Sequence, residues 1–459
     1  MKKTVLLLTL LPLFSCSNTK TLSTPETKIT SNDQNELTIK LASLNSNYTV
    51  NNIDPIKVFN ELDNGYKIEI IDYSSYYDSV DNNYGEAYND PDNKICQDIM
   101  NGDIDILPDF IGKKKYMSLA NKGAFVDLND YLKTDPDVNF STLNDHVLDL
   151  CSSNEHLYFL PLSFSVSTLC GYEKNVGNNE NWTIDDMISL WNKMPEDSAF
   201  TMSETKDDVY NSLIQSNIGS YINYDNCTCS FTSDKFIKLL DFIDSFEEPL
   251  SYKEDFASAE AFIHPITING FQNFHELLWN EQNAKLSFVG FPSQDGSNSA
   301  IYIDNGMNLA INALASEEVR KGAWEFLSFL ESYDYQYELI SGNISTDDEG
   351  NEFGGLGQEC CFPMNKNAFE KKKNEFLEKS GQSNKMSVNG QQYDIGYINQ
   401  EEYTKLIDLI NGTTYINFDV DQNINMIISE EIQNMFNGDQ TPTQTAEAIQ
   451  NRVVLVINE

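Results

Sequence analysis

The sequence predicts an α/β protein in two lobes, with mixed, mostly parallel sheets flanked by helices. Three observations carry that prediction. Length is the first: beyond its opening segment the chain must fold about 440 residues, more than one hydrophobic core usually supports. Composition is the second, since 40% hydrophobic and 12% aromatic residues supply ample core and exclude a disordered chain. The third is order along the chain, where strand patterns alternate with helix patterns as in βαβ units whose parallel sheet is covered on both faces.

Residues 1–15 read as a secretory signal. Lys2 and Lys3 form a basic start, and Val5 to Phe14 is an apolar run broken only by Thr9 and Pro12. That run falls short of the roughly 20 apolar residues a bilayer needs but suits a signal core. Leu13-Phe14-Ser15-Cys16 resembles the lipobox of bacterial lipoproteins. That resemblance implies cleavage before Cys16 and acyl chains on it, a lipid anchor to the cell membrane. Phe14 departs from the smaller residue of that pattern, and an ordinary cleaved signal with a chance cysteine is the alternative. Residues 16–36, rich in Ser, Thr, Asn and Lys, read as a flexible leash averaging roughly 25 Å end to end. No later apolar run is long enough to span a membrane.

The folded body begins at Leu37, where Leu37, Ile39 and Leu41 alternate as in a strand. A helix is expected near Pro55 to Leu62 and a second strand over Lys67 to Tyr73. Tyr76 to Asn93 reads as a long polar loop; calcium binding there has no ordered ligand spacing behind it, and a surface loop is the plainer reading. A helix from Asp92 to about Met100 stops at Asn101-Gly102, followed by the strand Ile104 to Leu107. Leu162 to Tyr172 is extended and apolar and suggests a crossing between lobes. Thr183 with Asp186 can cap a helix whose Ile184, Met187, Ile188 and Trp191 share one face. Phe231 to Phe246 and Glu317 to Tyr333 are further amphipathic helices. Lys285 to Pro292 is a strand entering a turn, and Met307 to Leu314 is extended.

The charge is extreme, with 71 acidic against 30 basic side chains; losing Lys2 and Lys3 with the signal moves −41 to −43. Such a field repels phosphate backbones and argues against a nucleic-acid partner. The acids are dispersed, which favours a solvated surface over an acidic docking patch. Seven cysteines besides Cys16 leave an odd count, and Cys227-Thr-Cys229 lacks the second pair of a zinc site. The four histidines show no metal-ligand spacing, so no metal and no cofactor is expected.

Several segments together resemble one family, the extracellular solute-binding proteins of family 1, maltose-binding-like receptors of ABC importers. They are Asn101 to Leu107 with Lys122-Gly123 and Val126 to Leu132; Leu157 to Gly171; Phe288 to Gly296, Leu309 to Asn312 and Gly322 to Phe326; Phe362-Pro-Met-Asn365; and the tail around Ile428, Gly438, Thr445 to Gln450 and Val453 to Glu459. Gly102-Asp-Ile-Asp105 departs from the family's Gly-x-Pro-Asp, so the turn into that strand can differ. The resemblance implies a periplasmic-binding-protein-like fold whose hinge is made of crossing strands, with a solute between the lobes. The lobes are placed at 37–166 with 309–370, and at 167–308 with 371–459.

Sugar recognition needs aromatic faces and planar polar groups, expected on loops after strand ends. The candidates are Asn45, Tyr73, Asp109 and Phe110 in the first lobe, Ser163 and Phe164 at the crossing, and Trp279, Phe291 and Gln294 in the second. Each has a bland alternative: Phe164 and Phe291 as core, Trp279 packing its own helix, Asp109 capping the helix that follows. The resulting expectation is a monomeric, lipid-anchored, extracytoplasmic receptor. It delivers a small solute, a sugar or oligosaccharide, to an ABC permease and has no catalysis of its own. A carbohydrate-active hydrolase and a non-transport surface adhesin on the same fold are the rival readings. No nucleophile elbow, Walker loop, zinc signature or dinucleotide loop supports an enzyme.

Overall fold

The computed structural model describes residues 36–44, 54–78, 91–111, 113–177, 182–195, 198–201, 205–246, 261–280, 286–293, 296–303, 307–341, 345–346, 352–353, 361–388, 391–417 and 422–458. The signal, Cys16 and the leash as far as Asn35 lie outside them, as do Asn45, Gln294, Cys360 and most of the polar loop expected over Tyr76 to Asn93.

The strands, in chain order, are β1 (Leu37–Ser43), β2 (Tyr66–Asp72), β3 (Ile106–Pro108), β4 (Leu160–Pro161), β5 (Ser163–Tyr172), β6 (Ile222–Asn223), β7 (Thr228–Cys229), β8 (His264–Ile268) and β9 (Leu286–Phe288). They continue with β10 (Phe291–Pro292), β11 (Ser297–Tyr302), β12 (Asn308–Ile311), β13 (Ser345–Thr346), β14 (Glu352–Phe353), β15 (Phe362–Pro363), β16 (Lys385–Val388), β17 (Gln391–Asp394) and β18 (Thr413–Asn417). The first sheet runs β2-β1-β3-β12-β4. Its β1 lies parallel to β2 from Leu37 opposite Tyr66 to Ser43 opposite Asp72, and parallel to β3 at Leu41 and Ile106. This is the βαβ arrangement expected, with helices Pro55–Asn60 and Pro91–Asn101 as connections. The second of these ends where Gly102 takes φ +78° and donates its N–H to the Ile99 carbonyl, which turns the chain toward β3. The helix Glu317–Leu330 lies directly on this sheet, and Gly322 is what lets it approach: a Cβ there would stand 2.3 Å from Ile39 Cδ1.

The second sheet departs from the parallel expectation. Its ten-residue centre, β5, pairs antiparallel with β8, β9, β11 and β15, and the described parallel pairing is β11 with β18. β5 is a crossing strand, buried along nearly its whole length. Two further readings are corrected. The helix Ser74–Asp78 runs into the start of the loop expected from Tyr76, and the expected strand Lys285 to Pro292 divides at Gly290, which takes φ +71°, into β9 and β10.

Two hydrophobic cores result. The first gathers Ile39, Leu41, Ile106, Leu160, Leu309 and Phe326 around the parallel sheet. The second gathers Trp182, Phe231, Phe236, Phe262, Phe291, Ile428 and Val453. Along β5, Phe164 and Val166 belong to the first core and Leu169 to the second, so the strand carries the chain from one to the other. Segments assigned from sequence to the second lobe also feed the first core: Phe271 and Phe274 from the helix Phe271–Asn280, then Phe376, Ile398, Leu406 and Ile410. The helices here are amphipathic toward the first sheet's side, a choice that periodicity alone does not reveal.

Candidate functional site

Where the two cores meet, the turn after β3 faces the segment around β6. Asp109, at the C-terminal end of β3, is held there by β12: Asn308 donates from its backbone N–H (3.3 Å) and from Nδ2 (2.5 Å) to the two carboxylate oxygens, while Asp109 N–H donates to the Asn308 carbonyl. Asp109 therefore braces the turn. Four residues on, Lys113 opens the helix Lys113–Asn121, and its Nζ lies 5.4 Å from the ring centre of Tyr224. Burial pulls the Lys113 ammonium down to about 8, against the attraction of Asp225 and Cys151. Ser153 Oγ donates to Asp225 Oδ1 at 2.6 Å, a second link between first-core and second-core segments. Beside Lys113 the Cys151 thiol is buried and its pKa is pushed far up, so it stays protonated.

Behind this rim the short 3₁₀ helix Gln215–Tyr221 leads into β6. It is fastened to the end of β18, where Asn417 Nδ2 donates to the Ser216 carbonyl at 3.1 Å and the Tyr415 hydroxyl donates to Asn217 Oδ1. His146 Nε2 meets Thr413 Oγ1 at 2.9 Å; that hydroxyl already donates to the Ile410 carbonyl, so the ring nitrogen is the donor. Three buried polar atoms, two on this 3₁₀ helix and one on β12, have no partner among the described residues: Asn217 Nδ2, Tyr221 Oη and Asn308 Oδ1. Buried polar groups are ordinarily hydrogen-bonded, so each exception calls for an explanation. The set offers amide and hydroxyl groups, one ammonium and an aromatic ring, a chemistry of binding by hydrogen bonds and stacking.

Of the residues proposed from sequence, Asp109 and Phe110 stand at this junction, Phe110 half-buried against the first core. Asn45 and Gln294 lie outside the described residues, and the other five make contacts elsewhere. Tyr73 is 2% exposed and its hydroxyl donates to Asp98 at 2.7 Å. Phe164 packs on Phe362 with ring centres 5.4 Å apart, and Phe291 is fully buried in the second core. Ser163 is buried in β5 opposite Pro363. Trp279 sets its ring edge-to-face on Tyr393 at 5.4 Å. Tyr73, Ser163, Phe164 and Phe291 are thus buried, and Trp279 is half-buried. The sequence reading missed Lys113, Asn217, Tyr221 and Tyr224. One signal was available: Lys113, Lys114 and Lys115 crowd the first turn of a helix, where the dipole favours acids, in a chain that is otherwise strongly acidic.

Solved structures share this architecture. The sugar-binding protein MalE from Xanthomonas citri matches over 92% of this chain and 97% of its own at TM-score 0.52 and 11% identity. The cyclic alpha-maltosyl-1,6-maltose binding protein from Arthrobacter globiformis matches over 92% and 99% at 0.51 and 13%. UgpB from Mycobacterium tuberculosis, in complex with glycerophosphocholine, matches over 92% and 98% at 0.50 and 13%. The chain has the two-lobed fold of the ABC-transporter solute-binding proteins. At these identities the likeness is one of fold. No family model matches the chain, and no curated protein matches it in sequence. Among the described residues no helix is long and apolar enough to cross a membrane, and no cluster of His, Cys, Asp or Glu is arranged to hold a metal.

Proposed function

We propose that this chain is a family 1 solute receptor of an ABC importer, lipid-anchored through Cys16 outside the cytoplasm, that takes up a sugar or oligosaccharide at the junction of its two lobes. The observation that supports the reading is the fold, shared over 92% of the chain with solved solute-binding proteins, together with buried polar atoms of Asn217, Tyr221 and Asn308 that have no partner among the described residues. Domain junctions are where ligand pockets concentrate. Neutral amides and hydroxyls suit sugar hydroxyls, and Tyr224 adds an aromatic ring. Closure about the crossing strands would present the loaded face to a permease, as in periplasmic binding proteins generally. The acylated Cys16 and the leash beyond it would keep a monomeric receptor at the membrane surface.

The test is a thermal-shift and calorimetric series with maltotriose, a cyclic maltooligosaccharide and glycerophosphocholine. A solute at a hundredfold over its Kd adds roughly 2.7 kcal/mol to stability. A raised melting point with no product formed supports the receptor. Consumption of any of these compounds would overturn it in favour of a hydrolase. For the anchor, Cys16→Ala protein should appear in the medium with affinity unchanged; retention on the membrane would refute lipidation.

A further inference from the structure

His275 lies in the helix Phe271–Asn280, the excursion the chain makes into the first core between β8 and β9. It is 8% exposed, and both of its ring nitrogens are engaged. Nδ1 stands 2.9 Å from Glu402 Oε2, and Nε2 stands 2.7 Å from the Ile395 carbonyl oxygen. A carbonyl oxygen only accepts, so Nε2 carries a proton. An ionised carboxylate only accepts as well, so Nδ1 carries one too. A neutral imidazole has a single N–H and cannot satisfy both. The geometry therefore asks for the imidazolium.

The two partners sit at a particular place. Ile395 leaves the β16–β17 hairpin, and Glu402 is in the first turn of the helix Gln400–Asn411, where the same Oε2 accepts the Asn399 N–H and completes the capping box. That helix runs into β18, whose end reaches the 3₁₀ helix at the junction. On the other side, the His275 helix follows β8, which pairs with the crossing strand at Ile268 and Val166. Gln272 Nε2, one turn before His275, donates to the Gly396 carbonyl at 3.3 Å and reinforces the same join.

We propose that His275 is a proton-dependent latch: its cation ties the chain segment that follows β8 to the segment that precedes β18, and loss of that proton loosens the base of the hinge. The proposal goes beyond the receptor reading and its test needs no solute. The charges facing the ring are Glu402 from the helix 400–411 and Glu276 from its own helix. Asp394, next to Ile395, is engaged by the Asn384 N–H. From the helix Lys366–Glu378 the contacts on this side are Phe369 and Phe376 against Phe271, while Lys373 lies over the Tyr403 ring and pairs with Glu370. Burial alone would push the imidazole pKa down; the hydrogen bonds to Glu402 and Ile395 outweigh it and the net direction is up. The sign follows. The latch is complete below the free histidine value of about 6.5 and is lost as pH rises through the higher folded value.

The experiment is histidine-resolved NMR titration of the full chain together with hydrogen exchange across residues 391–411, between about pH 6 and pH 9. Four histidines make the spectrum simple, and His275→Gln assigns the signal. Above the His275 titration, the 391–411 amides should exchange about tenfold faster than base catalysis alone explains, since a charge-assisted bond is being lost. His275→Gln should remove that extra pH step. Glu402→Gln keeps an acceptor for the Asn399 N–H but not the charge, and should move the His275 titration down. A His275 signal that titrates at or below an ordinary histidine would overturn the latch, as would identical exchange profiles with and without Glu402→Gln. The exchange comparison with Glu402→Gln stands even if His275→Gln fails to fold.

Discussion

The junction near Lys113 and the join around His275 both bury polar groups, but they complete them differently. At the join every polar atom of the imidazole has a protein partner, and Glu402 serves two donors at once. At the junction Asn217 Nδ2, Tyr221 Oη and Asn308 Oδ1 have none among the described residues. Filled polar groups hold a structure in one arrangement; unfilled ones wait for something the chain does not supply. On the proposed reading, the first region keeps shape and the second receives the solute.

The sharpest way to break the contrast is at the packing beneath the join. Phe271 is fully buried and makes ring contacts with Phe362, Phe369, Phe376 and Tyr403. Phe271→Ala should cost about 3–5 kcal/mol in chemical denaturation, the usual price of truncating a core aromatic. A loss under about 1 kcal/mol would mean that the join does not rest on this core.

Next in size is Glu402→Ala. It leaves the His275 cation without its carboxylate and removes one acceptor of the capping box. Denaturation near pH 6 should show a loss of about 2 kcal/mol, shrinking as pH rises and the wild-type pair itself gives way. A loss independent of pH would assign Glu402 to capping alone.

Asn217→Ala probes the other region. Its amide nitrogen has no partner among the described residues, so the folded chain forfeits chiefly the bond from Tyr415 to Oδ1, about 1 kcal/mol. Solute affinity should fall about tenfold or more, because the bound guest is then the partner that goes missing. Affinity that survives unchanged in calorimetry would remove Asn217 from the site and, with it, the reading of the unfilled atoms.

The difference between the two regions also explains how much was legible beforehand. Strand β1 showed in the alternation of Leu37, Ile39 and Leu41, the stop at Gly102 in an Asn-Gly pair, and the capping box in Thr183 and Asp186, all of them local signals. The site was not local. Asn217 and Tyr415 are 198 positions apart and meet only where the 3₁₀ helix is fastened to the end of β18. Phe164 and Phe291 were offered as candidate contacts because an apolar crossing strand and a turn at a domain junction look alike whether their aromatic rings pack inward or face a ligand. Periodicity reports which residues avoid water, and a binding aromatic and a core aromatic both do.

The smallest effect belongs to the pair that looks most like the latch on paper. His156 Nδ1 stands 2.8 Å from Asp127 Oδ2, a distance no longer than in the buried pair, yet the histidine side chain is 51% exposed. Water solvates the ring whether or not the carboxylate is present, and an exposed ion pair contributes little. Asp127 is needed regardless, since it also accepts the backbone N–H groups of Asn129 and Leu157. His156→Asn should therefore change stability by less than about 0.5 kcal/mol at any pH where the chain folds. A loss matching that of Glu402→Ala would show that distance, and not burial, decides what a histidine–carboxylate pair is worth in this protein.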